Sequence, residues 1–70
     1  MLPEENIRDR LYSFARDVLN EYDDDEKAWA VYCNETTAWH QAAPEEWGDS
    51  IAYSNIASDA FQRAKAAKRP

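Results

Sequence analysis

The segment AWAVYCNETTAWHQAA, Ala28 to Ala43, decides the fold. At helical period, Trp29, Tyr32, Cys33, Thr36, Trp39, His40 and Ala43 share one broad face. At period two, Trp29, Val31 and Cys33 alternate with Ala30 and Tyr32, and Thr36-Thr37 suits a strand, so the competing reading is a hairpin turning at Asn34-Glu35. Two features favour the helix. Neither residue of that turn is glycine, which tight hairpin turns favour. Ala28, Ala30, Ala38, Ala42 and Ala43 are strong helix formers. The expected fold class is all-α, a small three-helix bundle. The alternative is α+β with a hairpin in the middle segment.

Working outward, Pro44 ends the helix, because a residue before proline avoids helical angles. On the other side, NEYDDDEKAW, Asn20 to Trp29, packs five acids into six positions, and Asp24 or Asp25 can cap the helix start by accepting hydrogen bonds from its free N–H groups. An earlier helix is expected from about Pro3 to Tyr22, with Ile7, Leu11, Phe14, Ala15, Val18, Leu19 and Tyr22 on one stripe. Pro44-Glu45-Glu46-Trp47-Gly48 reads as a turn or a single helical turn, broken by the only glycine. Asp49 or Ser50 then caps a last helix whose apolar face is Tyr53, Ile56, Ala57, Ala60, Phe61, Ala64 and Ala67. That face is mostly alanine, which lets helices approach closely. No repeat or long linker interrupts the chain, so residues 1–70 are expected to form a single helical domain.

Seventy residues bury only about 60% of their unfolded surface, which leaves a monomer marginally stable. Nine large aromatic rings compensate and argue against disorder. The single cysteine, Cys33, excludes an internal disulfide and suits a reducing compartment. The first residues, MLPEENIRDRLYSF, lack an apolar signal core, and no apolar run approaches the ~20 residues of a membrane span. A soluble cytoplasmic protein with no membrane partner is expected. Asn34-Glu35-Thr36 matches a glycosylation sequon, which is idle without secretion.

The net charge of −6 is unevenly laid out. Residues 1–16 balance. Residues 17–59 hold eleven acids against Lys27 alone, and residues 60–70 hold four cations, Arg63, Lys65, Lys68 and Arg69. An acidic body thus ends in a basic tail, a pattern that bears on partners rather than on fold.

No motif for chemistry stands out. Asp23, Asp24, Asp25 and Glu26 are contiguous rather than alternating and have no glycine at the bend, unlike a calcium loop. Cys33 and His40 form the one nucleophile–base pairing the sequence offers, but on a helix they lie two turns, about 10 Å, apart, beyond hydrogen-bond reach. They are also too few for zinc. A packed, hydrogen-bonded His40 and a small buried Cys33 are the plainer readings. A single glycine excludes phosphate-binding loops. The expectation is no enzyme, no cofactor and no metal. The acidic body would repel a duplex, so direct nucleic-acid binding is not expected. Trp47, flanked by Glu45, Glu46 and Gly48, is either a lid over the bundle end or an aromatic anchor rimmed by acids.

These features suggest a small acidic protein-binding inhibitor or modulator that occupies the basic surface of a nucleic-acid-handling protein, offering carboxylates where phosphates would lie. In size and composition the chain resembles phage-encoded proteins that block host defence nucleases, anti-CRISPR proteins among them. The candidate partner-binding residues are Asp23, Asp24, Asp25, Glu26, Glu45, Glu46, Trp47 and Asp49. The alternative is a helical assembly or regulatory module that docks, or forms a homodimer, through an apolar face such as the alanine stripe.

Overall fold

The computed structural model describes residues 1–68. It contains α1 (Glu4–Glu21), α2 (Asp25–Ala42), the single turn α3 (Pro44–Trp47) and α4 (Ser50–Lys68). The fold is all-α. No strand occurs among the described residues, and the middle segment is one continuous helix, so the hairpin alternative is not adopted. Thr36, β-branched and strand-friendly, is accommodated because its hydroxyl donates to the Tyr32 carbonyl one turn back at 2.8 Å.

Each helix boundary has a local cause. Pro3, extended at φ −56° and ψ 145°, starts α1, its carbonyl accepting the N–H groups of Asn6 and Ile7. Asp24 caps α2, its Oδ1 accepting the Glu26 N–H at 2.9 Å. Ala43 leaves helical space at φ −146°, as Pro44 demands, and Pro44 opens α3. Gly48 has φ 83°, a conformation other residues adopt only with strain, and it turns the chain into α4. There Asp49 accepts the Ala52 N–H at its Oδ2, 3.0 Å away.

Successive short joints make α1 and α4 parallel and α2 antiparallel to both, in a rod of 36 × 20 × 16 Å. α1 and α4 are the most closely associated pair. Alanines permit this: Ala57, Ala60 and Ala64 are buried beside Ala15, Leu11 and Leu19. Arg8 and Asp59, 3.5 Å apart, bridge the same two helices at the surface. Such half-exposed pairs add little stability.

α2 is held differently. Its closest approach to α4 is made through rings. The Tyr32 hydroxyl donates to the Ala57 carbonyl at 2.7 Å, and the Tyr53 hydroxyl donates back to the Thr36 carbonyl at 2.6 Å. The fully buried positions of α2 are Ala28, Tyr32 and Thr36, spaced by four. The face expected to be buried is therefore rotated by about one residue. Trp29, expected with the core, is 38% exposed, with its edge against Phe61 at 4.9 Å. Small Ala28 takes the interior position instead, fully buried beside Tyr32 and Thr36. Ala67, expected on the α4 stripe, is also exposed. Among the described residues, no buried side-chain nitrogen or oxygen lacks a partner.

Burial holds both clasping tyrosines in the protonated form: Tyr32 is raised well above the ordinary tyrosine range and Tyr53 is pushed up to about 12. Unfolded tyrosines ionise near pH ~10. Between that pH and the raised values the folded chain binds more protons than the unfolded one, so this contribution to stability is complete below pH ~10 and is lost as pH rises. Urea unfolding should show stability falling by up to ~1.4 kcal/mol per pH unit for each of the two tyrosines above pH ~10. Tyr32→Phe plus Tyr53→Phe should flatten that slope and cost about 1 kcal/mol per hydroxyl at neutral pH. An unchanged alkaline slope in the double variant would contradict the clasp.

Candidate functional site

The eight residues singled out from the sequence do not form one patch. They occupy the two ends of the rod, separated by α2, whose 18 residues span about 27 Å.

At the α1–α2 end, Asp23, Asp24 and Glu26 are exposed, with Asp24 engaged as the cap. Asp25 is half-buried, 3.8 Å from the Lys65 ammonium. Lys68 donates to the Leu19 carbonyl at the last turn of α1, and Lys27 sits 5.6 Å from the Tyr22 ring centre. The basic C-terminal turn of α4 thus folds onto the acidic joint instead of extending from it. Arg69 lies outside the described residues. The contiguous aspartates diverge, one into the cap and one toward Lys65. Among the described residues no three of His, Cys, Asp and Glu converge as a metal ion would need.

At the opposite end, Glu45, Glu46 and Asp49 are exposed, and the start of α1 adds Glu4 and Glu5. The Leu2 N–H donates to the Glu46 carbonyl at 2.8 Å and ties the chain start to this joint. Trp47 is turned inward and is 7% exposed. It stacks on Trp39 at 5.8 Å, meets Tyr53 edge-on at 5.4 Å, and has the Arg10 guanidinium 6.0 Å from its ring. It sits as a lid over the bundle end, and a partner meeting this joint would touch carboxylates before the indole.

Cys33 and His40 both line the groove between α2 and α4. Burial pushes the Cys33 thiol up, away from the reactive thiolate. His40 Nε2 lies 2.7 Å from the Gly48 carbonyl. A carbonyl only accepts, so Nε2 carries the proton and the imidazole pins the turn into α4. Its ring also packs on Tyr53 at 5.0 Å.

The groove itself, of about 510 Å³, was missed by reading the sequence. Its walls come from residues twenty positions apart, and its width depends on how far the rings hold α2 from α4. The one cue in the sequence was the exposed polar run along Ser50, Ser54 and Ser58.

No family model, no curated protein and no solved structure matches this chain. Among the described residues no helix is long and apolar enough to cross a membrane.

Because Asp24 acts through one acceptor oxygen, Asp24→Ala should cost about 1 kcal/mol and lower the melting temperature by roughly 4–8 °C. Replacing Asp23, Asp24 and Asp25 together by asparagine keeps the cap and should melt above Asp24→Ala in thermal circular dichroism. The reverse order would show that charge, not capping, fixes the joint.

Proposed function

We propose that this protein is a non-catalytic, protein-binding modulator that presents carboxylates to the basic surface of a nucleic-acid-handling protein. One observation carries the reading: the cations are engaged within the molecule and most of the acids are not. Arg8 and Arg63 bond Asp59, Lys65 meets Asp25, Arg10 and Lys27 lie over rings, and Lys68 binds a carbonyl. Of the seven described cations, Arg16 alone has no such partner among the described residues. By contrast Glu5, Asp9, Asp17, Glu21, Asp23, Glu26, Glu35, Glu45 and Glu46 make no ion pair with another described residue.

Free exposed carboxylates on a chain of net charge −6 set up a field that draws a Lys- and Arg-lined groove and speeds encounter with it. They also compete with phosphates for that groove, which is how such a protein would inhibit. The resemblance in size and composition to phage-encoded blockers of defence nucleases points to the same kind of partner. Trp47 contributes from inside, by fixing the joint that carries Glu45, Glu46 and Asp49.

The test is capture of partners from host lysate on immobilised protein at ~0.1 M and ~1 M salt, where the screening length falls from ~10 Å to ~3 Å. Two charge variants accompany it: Asp23→Asn with Asp24→Asn and Glu26→Gln at one end, and Glu45→Gln with Glu46→Gln and Asp49→Asn at the other. Asparagine preserves both caps. The expected result is a basic nucleic-acid-binding protein retained at low salt, released at high salt, displaced by its own nucleic acid, and bound at least about tenfold more weakly by one of the variants, a loss of ~1.4 kcal/mol. Salt-resistant capture that neither variant weakens would overturn the proposal.

A further inference from the structure

On the α1–α2 side of the rod, two of the molecule's own cations lie on aromatic rings. The Arg10 guanidinium is 6.0 Å from the Trp47 ring centre at one end, and the Lys27 ammonium is 5.6 Å from that of Tyr22 at the joint. Between these two contacts an open cleft of about 390 Å³ is lined by Phe14, Asp17 and Trp39, with Arg10 at its edge. Phe14 and Trp39 are half-buried, their ring centres 4.7 Å apart. Asp17 is exposed, and Glu35 is exposed one turn before Trp39 on α2. α1 and α2 run antiparallel. Asp17, about 4.5 Å beyond Phe14 along α1, and Glu35, about 6 Å before Trp39 along α2, therefore stand at nearly the same level of the rod.

Neither carboxylate makes an ion pair with another described residue. Arg10 stays on Trp47, two turns or about 10 Å from Asp17 along α1. The cleft thus combines half-buried rings with two carboxylates, and no cation of the described residues pairs with either. The cleft below Trp29 also joins rings to acids, but there Lys65 lies 3.8 Å from Asp25. We propose that the α1–α2 cleft receives an arginine side chain of a protein partner, its guanidinium lying over Trp39 and bonded to Asp17 and Glu35.

The inference rests on the reading above, a partner with a basic surface, and names the place where one residue of that surface docks. Charge complementarity selects a cation, and geometry selects arginine. A planar guanidinium stacks on an indole and offers a carboxylate two parallel N–H groups, whereas a lysine ammonium offers a point charge. Arg10 on Trp47 is the same contact made within the chain, one ring away, since Trp47 stacks on Trp39. A cation between the two helices also offsets the repulsion between Asp17 and Glu35. The exposed acids at the bundle ends then speed encounter, and the cleft supplies a directional contact.

Titration of isotope-labelled protein with the blocked peptide acetyl-Ala-Arg-Ala-amide, followed by NMR shifts of amides and indoles, tests this. Saturable shifts should centre on Ser13 to Asp17 and Glu35 to Trp39, including the Trp39 indole. The lysine counterpart should bind more weakly, and the uncharged citrulline counterpart should leave these signals in place. Asp17→Asn with Glu35→Gln should weaken the arginine peptide at least about tenfold. Both positions are exposed, so the melting temperature serves as a control for folding. Asp23→Asn with Glu26→Gln, at the joint, should leave the peptide affinity unchanged. Shifts confined to the bundle ends, or a cleft variant that binds like the wild type, overturn the inference. The lysate capture separates this claim from the one it rests on. A basic protein held at low salt as tightly by the cleft variant as by the wild type overturns the cleft and leaves the charge reading standing. Saturable peptide binding in the cleft without capture of any such protein supports the cleft and counts against the charge reading.

Discussion

The structure depends on a continuous line of rings that runs the length of α2. Trp29 meets Phe61, Phe61 meets Tyr32, Tyr32 meets Phe14, Phe14 meets Trp39, Trp39 meets Trp47, Trp47 meets Tyr53 and Tyr53 meets His40, each at 4.7–5.8 Å between centres. Offset and edge-on pairs of this kind add about 0.5–1.5 kcal/mol each beyond the area they bury. A chain of 70 residues has too little aliphatic core to do without them. The two hydroxyl-to-carbonyl bonds, from Tyr32 to Ala57 and from Tyr53 to Thr36, set the register of α2 against α4. Large rings also act as spacers. The alanine face of α4 brings it close to α1, while the ring face of α2 holds it off and leaves a groove on that side. Tight packing on one side and an open cleft on the other come from the same sequence choice.

Much of this was legible from local chemistry. Pro3, Asp24, Pro44, Gly48 and Asp49 each punctuate the chain where their backbone or capping preference says they should, and the α1 stripe and most of the α4 stripe face inward as their period requires. α2 was harder. Its large residues suggested a face through Trp29, but the core position is Ala28, with Tyr32 and Thr36 following at intervals of four. The alanine stripe of α4, offered as a docking face, is occupied by α1. The acidic candidates were offered from the sequence as one partner-binding set, yet they lie at opposite ends because an 18-residue helix separates them. The return of Lys65 and Lys68 onto the first joint depends on α4 running parallel to α1, which no local pattern states.

The acids have a structural reason as well as a proposed functional one. Glu4 and Glu5, Asp25 and Glu26, and Glu45 and Glu46 occupy first turns of helices, where negative charge offsets the positive end of the dipole. A carboxylate stabilising a helix start at the surface still points into solvent. The fold therefore displays much of its negative charge at the bundle ends, with Asp25 alone of these half-buried, and most of the described cations lie against rings, a carbonyl, Asp25 or Asp59. Charge display and helix stabilisation are the same arrangement seen from outside and from inside. An acidic surface of this kind does not require a separate loop or appendage.

The central claim is that rings, not close backbone packing, fix α2 in place. Native-state amide hydrogen exchange measures it most directly. If the ring line holds, the amides of Tyr32 through Thr36 exchange only by global unfolding, with the same free energy as those of Leu11 through Ala15 in α1. If α2 instead exchanges at distinctly lower free energy than α1 and α4, it opens on its own, and the aromatic line does not bind the bundle together.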